Sequence, residues 1–274
     1  MSATSPAVTA ADIRDALARL GVAGHPVVIH ASLRSFGYVD GGAATVAASL
    51  AGACPVVMAP AFCFDSNWEP PADDRPPVNG CDYAYYDHWN RPRVPWVRET
   101  ASIDPKMGAV PRALAALPGT ERSDHPWHSW VAHGDGAHAL VTPHPWDTTN
   151  LPLERLAARG GFVLFAGVGL ASCTAVHVAE ERAGRRPFIR WNVDRDDRVR
   201  RIRVAGCSKG FDRLQPYCDD LFTRTGLGAA DLAAAPLPAL IDRLARVIRE
   251  QPRLTVCSDT CLRCRDAVLG GPDA

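Results

Sequence analysis

His177 and Glu180 stand three residues apart, a spacing that puts both side chains on one face if the segment is helical. A carboxylate there can fix the imidazole in one tautomer and support its protonated form, the core of a general-base pair. Thr174 falls at the expected helix start, where unpaired N–H groups and the positive dipole end favour a ligand or an oxyanion. The same spacing also describes a core histidine beside a solvated acid, and residue types alone do not separate the two. Near the C-terminus, Cys261-x-x-Cys264 is half of a tetrahedral zinc site, with Cys207 a candidate third ligand and the fourth left open. Unligated buried thiols fit that spacing equally well.

The elements that must position these residues begin with Gly161–Ala166, an apolar run of strand type. It breaks at Gly167 and Gly169 and resumes with helix formers from Thr174 to about Arg182. Upstream, Thr9 and Asp12 cap an amphipathic helix ending at Gly21, His25–His30 is a buried strand, Gly42–Leu50 is helical and Pro55–Pro60 is a second strand. This alternation predicts an α/β fold with a mixed central sheet flanked by helices. Ser32, Leu33, Arg34 and Ser35 lie between strand and helix, where hydroxyl and N–H groups could hold a phosphate or the amides of a pantetheine arm, or simply cap the helix.

Residues 61–96 are irregular, proline-rich, acidic and aromatic. Asp65, Glu69 and Asp87 among them are suited to a cationic, hydroxyl-rich ligand, although a solvated loop has the same composition. A helix is expected over Pro105–Leu114 and a strand over Trp127–Val131. The strand would put His125 and His128 on opposite faces, as structural histidines. Helices are expected again over 135–140 and 153–158, and a charged hairpin over Pro187–Trp191 and Val199–Ala205. Leu227–Ile248 reads as a helix broken at Pro236, and Pro252–Val256 as a last strand.

The 274 residues are 47% hydrophobic, enough for a sizeable core, and the 30 basic residues balance the 30 acidic ones. That balance gives no overall field for nucleic acid or an anionic membrane. No apolar run reaches membrane-spanning length and the first residues carry no secretion signal, so a cytoplasmic protein is expected. Nine cysteines, an odd number, fit free thiols and a metal site better than a disulfide framework.

Four segments in order, His30–Gly42, Met107-Gly108-Ala109, Arg122–Ser129 and Gly167–Glu180, together resemble the aminoglycoside 3-N-acetyltransferase family. The resemblance implies one α/β domain over 1–274 and transfer of an acetyl group from acetyl-CoA to an aminoglycoside, at its 3-amino group. It implies His177 as base, oriented by Glu180, with Thr174 as oxyanion donor. It places CoA near Ser32, Leu33, Arg34, Ser35, Met107, Gly108, His125 and Ser129. Asp65, Glu69, Asp87 and Glu181 become the acceptor-binding candidates, and 207–264 a part that structural zinc would staple through Cys207, Cys261 and Cys264. The small-molecule substrates leave a homodimer open.

The chain departs from the family pattern with Cys173 for asparagine, Ala175 for serine and Asn150-Leu151-Pro152 for Gly-Ser-Pro. These changes bear on the acceptor. The alternatives are an amine of another biosynthetic metabolite, a covalent relay through Cys173, and a non-catalytic ligand-binding or zinc-stabilised interaction protein that retains the fold only.

Overall fold

The computed structural model describes residues 7–273. In chain order, α1 (Ala10–Arg19) leads into β1 (Val27–Ala31), then α2 (Gly42–Ala53), β2 (Val56–Pro60) and the short β3 (Asn67–Trp68). The next elements are α3 (Ala109–Ala115), β4 (Glu121–Arg122), β5 (Trp130–Gly134), α4 (Ala137–Val141) and α5 (Leu151–Ala158). They are followed by β6 (Phe162–Ala166), α6 (Ala175–Arg182), β7 (Phe188–Val193) and β8 (Val199–Val204). The chain closes with β9 (Thr223–Leu227), β10 (Ala230–Pro236), α7 (Leu237–Glu250) and α8 (Leu262–Val268).

Seven strands form one sheet in the order β4-β5-β2-β1-β6-β10-β9. Its centre, β2-β1-β6, is parallel, and the strands on either side pair antiparallel, so the sheet is mixed. Successive residues of β1, β2 and β6 alternate between its two faces. Val28, Met58, Val163 and Phe165 pack with α7, while Val27, Ile29, Val57 and Leu164 pack with α1 and α2. The Thr9–Asp12 capping box forms as expected: the Asp12 N–H donates to Thr9 Oγ1 at 3.3 Å and the Thr9 N–H to Asp12 Oδ2 at 2.8 Å. No helix among the described residues is long and apolar enough to cross a membrane.

A second sheet, β3-β7-β8, contains the charged hairpin read from the sequence. The proline-rich stretch after β2 packs against it. Asn79 brackets Ile189, accepting its N–H at 2.7 Å and donating to its carbonyl at 3.1 Å, and buried Arg190 donates to the carbonyls of Asn79 and Gly80. These bonds tie the stretch to the small sheet.

Three expectations are corrected. The alanine-rich half of Leu227–Ile248 is strand, because Ala230–Ala235 pairs along β6 and only from Leu237 does the chain become helical. Sheet pairing there overrides the helix propensity of alanine. Pro252–Val256 forms turns, with the Pro252 carbonyl and the Thr255 hydroxyl taking hydrogen bonds from Arg185. The strand expected over Trp127–Val131 begins at Trp130, since the His125 ring accepts the N–H groups of Trp127 and His128 at 3.2 and 3.0 Å and turns the chain there. His125 and His128 therefore share a turn, their rings 5.8 Å apart, and His144 lies 4.7 Å from His125.

Burial keeps these rings neutral: it holds His125 and His128 well below the ordinary histidine range and His30 and His144 down at about 4. Their contribution to stability is present above the unfolded value of 6.5 and is lost as pH falls through that value toward 4. Glu181, raised by burial to about 7, acts in the opposite sense by one proton. Unfolding near pH 5.5 should thus take up roughly three protons, so stability should fall by roughly 3 to 4 kcal/mol per pH unit between pH 6 and 5. Urea titrations across that range measure the slope, and a flat profile would mean that the rings are hydrated or charged in the fold.

Candidate active site

A cleft of about 800 Å³ opens at the C-terminal ends of the three parallel strands, where chain leaves β1 at Ala31, β2 at Pro60 and β6 at Ala166. Crevices beyond the carboxyl ends of parallel strands are where open α/β sheets bind ligands. The turns after β1 and β6 meet closely: Gly167 has φ of 66°, and a Cβ there would stand 1.7 Å from Ser35 Oγ. No side chain fits at that point.

His177 lies one turn into α6, 8% exposed, and lines the cleft. Its Nδ1 is 2.7 Å from Glu180 Oε2, as the three-residue spacing implies. Glu180, itself buried, accepts a second hydrogen bond from Arg185 Nη1, and Arg185 also donates to Thr255 Oγ1 at 2.8 Å and to the Pro252 carbonyl. With Glu180 already paired to the Arg185 guanidinium, its other oxygen accepts from His177 Nδ1, which leaves the Nε2 lone pair free. Phe211 packs edge-on at 4.9 Å and fixes the ring. Thr174, 7% exposed, lines the cleft beside His177, and its side chain makes no capping bond.

Ser32, Leu33, Arg34, Met107 and Gly108 also line the cleft, together with Lys106 and Arg112. The other cofactor candidates lie behind this lining. Ser35 Oγ donates to the Ser32 carbonyl at 2.6 Å, His125 is fully buried in its turn, and Ser129 is held by Ala61 and Arg122.

The acceptor candidates are not brought together. Asp65 accepts from Ser102 Oγ at 2.6 Å and Glu69 is half-buried, and neither lines the cleft; the side chain of Asp87 lies outside the described residues. Glu181 takes a hydrogen bond from Asn150 Nδ2 at 2.7 Å beside a separate cavity of about 310 Å³, and with Glu180 it also borders a small space next to His177, Ala205 and Gly206. The far wall consists of Phe62, Phe64, Trp127, His128, the segment Ala205–Ser208 and Arg263. Sequence spacing did not mark these residues, because they come from four separate segments.

Cys207, Cys261 and Cys264 do converge, and Cys257 joins them, all four sulfurs lying within 4.8 Å of one another. Sulfur pairs at 3.6 and 3.7 Å match the roughly 3.8 Å edge of a tetrahedron with Zn–S bonds of about 2.3 Å. The sequence held the signal for the fourth thiol, since Cys257 precedes Cys261 by one turn. Cys173 is different: burial pushes its thiol up to about 12, which leaves it protonated and unreactive.

The family model described as aminoglycoside 3-N-acetyltransferase matches residues 28–249. Aminoglycoside N(3)-acetyltransferase VIII of Streptomyces fradiae is 38% identical over 182 residues, 62% of this chain and 59% of that protein. The chain thus spans about three-fifths of the length of this curated relative. The crystal structure of aminoglycoside acetyltransferase AAC(3)-Xa superposes with a TM-score of 0.72 at 28% identity, covering 89% of this chain and 93% of that one. AAC-IIIb in its binary complex with CoASH shares the fold, with a TM-score of 0.73 at 23% identity over 90% of this chain and 98% of that one. By sequence and by fold, the chain belongs to the aminoglycoside 3-N-acetyltransferase family.

Proposed function

We propose that this chain, acting as one α/β domain, transfers the acetyl group of acetyl-CoA to a primary amine, with His177 as general base. The observation that carries the reading is the buried chain Arg185–Glu180–His177 ending at the floor of an 800 Å³ cleft. An amine at neutral pH is mostly protonated, and attack on a thioester requires its lone pair. The amine reacts as its neutral form, one proton having gone to solvent, and His177 Nε2 takes a second proton as nitrogen bonds to the thioester carbon, with Glu180 supporting the resulting imidazolium. The C–S bond then breaks, and the proton passes from His177 to the leaving thiolate as CoASH. Thr174 donates to the developing oxyanion.

Arg34, Lys106 and Arg112 supply the positive charge that the phosphates of CoA require, and Ser32, Leu33, Met107 and Gly108 border the same space. The high thiol pKa of Cys173 opposes a covalent relay, so transfer is direct, in a ternary complex. The names of the relatives point to the 3-amino group of an aminoglycoside as acceptor. A second reading, an amine of another biosynthetic metabolite, is favoured by one observation: Asp65 and Glu69, two of the carboxylates expected to receive a polycation, do not line the cleft. The four thiols would hold structural zinc, which would pin the segment containing Cys207 to α8.

His177→Ala should lower kcat roughly a hundredfold or more while acetyl-CoA binding is kept, as measured by thiol release and calorimetry. Equal turnover by mutant and wild type would remove His177 from the base role. Metal analysis should find one zinc per chain, and Cys257→Ser should lose it and lower Tm by about 10 °C. If Cys257→Ser keeps the metal, or wild type carries none, the zinc assignment fails.

A further inference from the structure

Acetyl transfer at His177 needs one amine, and the inference here rests on that reading and concerns what else the acceptor must carry. Beside His177 lies a small space of about 20 Å³, room for one water-sized group. His177, Ala205 and Gly206 border both the cleft and this space, so the two adjoin at residues with little side chain.

Glu180, Glu181, Arg185 and Arg186 bring charge to the small space, and three of the four are already matched. Glu180 has one oxygen on His177 and the other on Arg185. Arg186 pairs with Asp273 at 3.0 Å and donates to the carbonyls of Gly270 and Gly271 at 3.2 Å.

Glu181 is the remaining charge. It is half-buried, and its hydrogen-bond partner is the neutral amide of Asn150. Asn150, 3% exposed, gives its Nδ2–H to Glu181 and keeps an Oδ1 that meets no donor among the described residues, which adds to the negative potential there. Burial raises the Glu181 carboxyl to about 7, and an arriving cation would hold it ionised. His177 stands four residues earlier on α6, one helical turn away, close enough to act on this carboxyl electrostatically. On its outer side Glu181 borders the 310 Å³ cavity with Asp147 and Glu154, where Arg203 is drawn to the Pro187 carbonyl at 3.2 Å.

A water-sized space with one unmatched carboxylate fits an ammonium group in size, charge and hydrogen-bond donors. The reacting amine cannot be that group, because it must be neutral to attack. The ammonium therefore belongs to a second amine of the same acceptor.

We propose that Glu181 determines acceptor specificity by holding a second ammonium group of the acceptor in this space while the first amine lies against His177 Nε2. The acceptor class is a diamine whose nitrogens stand about one helical turn, roughly 5 Å, apart, as on alternate carbons of a six-membered ring. The first nitrogen bonds to the acetyl carbon, the C–S bond breaks, and the proton taken by His177 leaves with CoASH. The second nitrogen keeps its proton, so the products are a mono-N-acetyl diamine and free thiol.

The test follows CoA release by the full chain with cis-1,3-cyclohexanediamine, cis-3-aminocyclohexanol, trans-1,4-cyclohexanediamine and kanamycin. Wild type should favour the 1,3-diamine over both the amino alcohol and the 1,4-diamine by about tenfold in kcat/KM. Glu181→Gln keeps the shape of the side chain and the bond from Asn150, and should bring the 1,3-diamine and the amino alcohol within about threefold of each other. The wild-type comparison needs no variant, and equal rates there would overturn the proposal. A preference that survives Glu181→Gln would also overturn it, since the lower basicity of the diamine would then be its source. An equal loss with the diamine and the amino alcohol would make Glu181 a support of His177 and sink the specificity role. Absence of CoA release with every acceptor, kanamycin included, would remove the acetyl-transfer reading and this proposal with it, a failure told apart by the silence of wild type throughout.

Discussion

Everything at the candidate site depends on the parallel pairing of β1 with β6. Five register pairs run from Val27 with Phe162 to Ala31 with Ala166, so the two strands end level and their exits stand side by side. One exit becomes the Ser32–Phe36 turn and the other leads through Gly167 into α6. The contact between Gly167 and Ser35 is tight enough to exclude any side chain at 167. This approach sets the His177 imidazole beside the proposed binding wall for the cofactor, on two elements anchored in the middle of the sheet.

His177 is supported from the far end of the chain. Glu180 is a buried carboxylate, and an unpaired charge at that depth would be costly, so Arg185 is required to neutralise it. Arg185 is buried too, and its remaining donors are satisfied by Pro252 and Thr255 in the turns after α7. Segments roughly seventy residues apart thus share one hydrogen-bond chain, which holds the histidine in a single orientation. The thiol cluster acts on the opposite wall in a comparable way. Cys207 is flanked by the cleft residues Gly206 and Ser208, and Cys264 follows Arg263, so whatever holds the four sulfurs together also holds the wall.

The small sheet gives the cleft its second side. Trp127, Phe62 and Phe64 come from irregular chain tied down by β7, β8 and half-buried Arg122, which donates to the carbonyls of Ala61, Ala101 and Ser102. A long stretch without regular structure is tolerated here because its backbone is satisfied by side chains. The result is an aromatic surface rather than the acidic one its composition suggested.

Local features were legible without a structure. The strand–turn–helix at 161–182, the capping box at Thr9, the His177–Glu180 pair and the Cys-x-x-Cys edge depend on spacing within one or two turns, and sequence records such spacing directly. The mixed sheet followed from alternating apolar periodicity. Tertiary structure decided the rest. It made the alanines of 230–235 a strand because β6 offered an edge, gave Glu180 to His177 and Glu181 to Asn150, and brought Arg185 and the 257–264 segment to opposite sides of the cleft. Burial and charge pairing act through space, so a propensity or a spacing can name a residue's element but not the neighbour that gives it its chemistry.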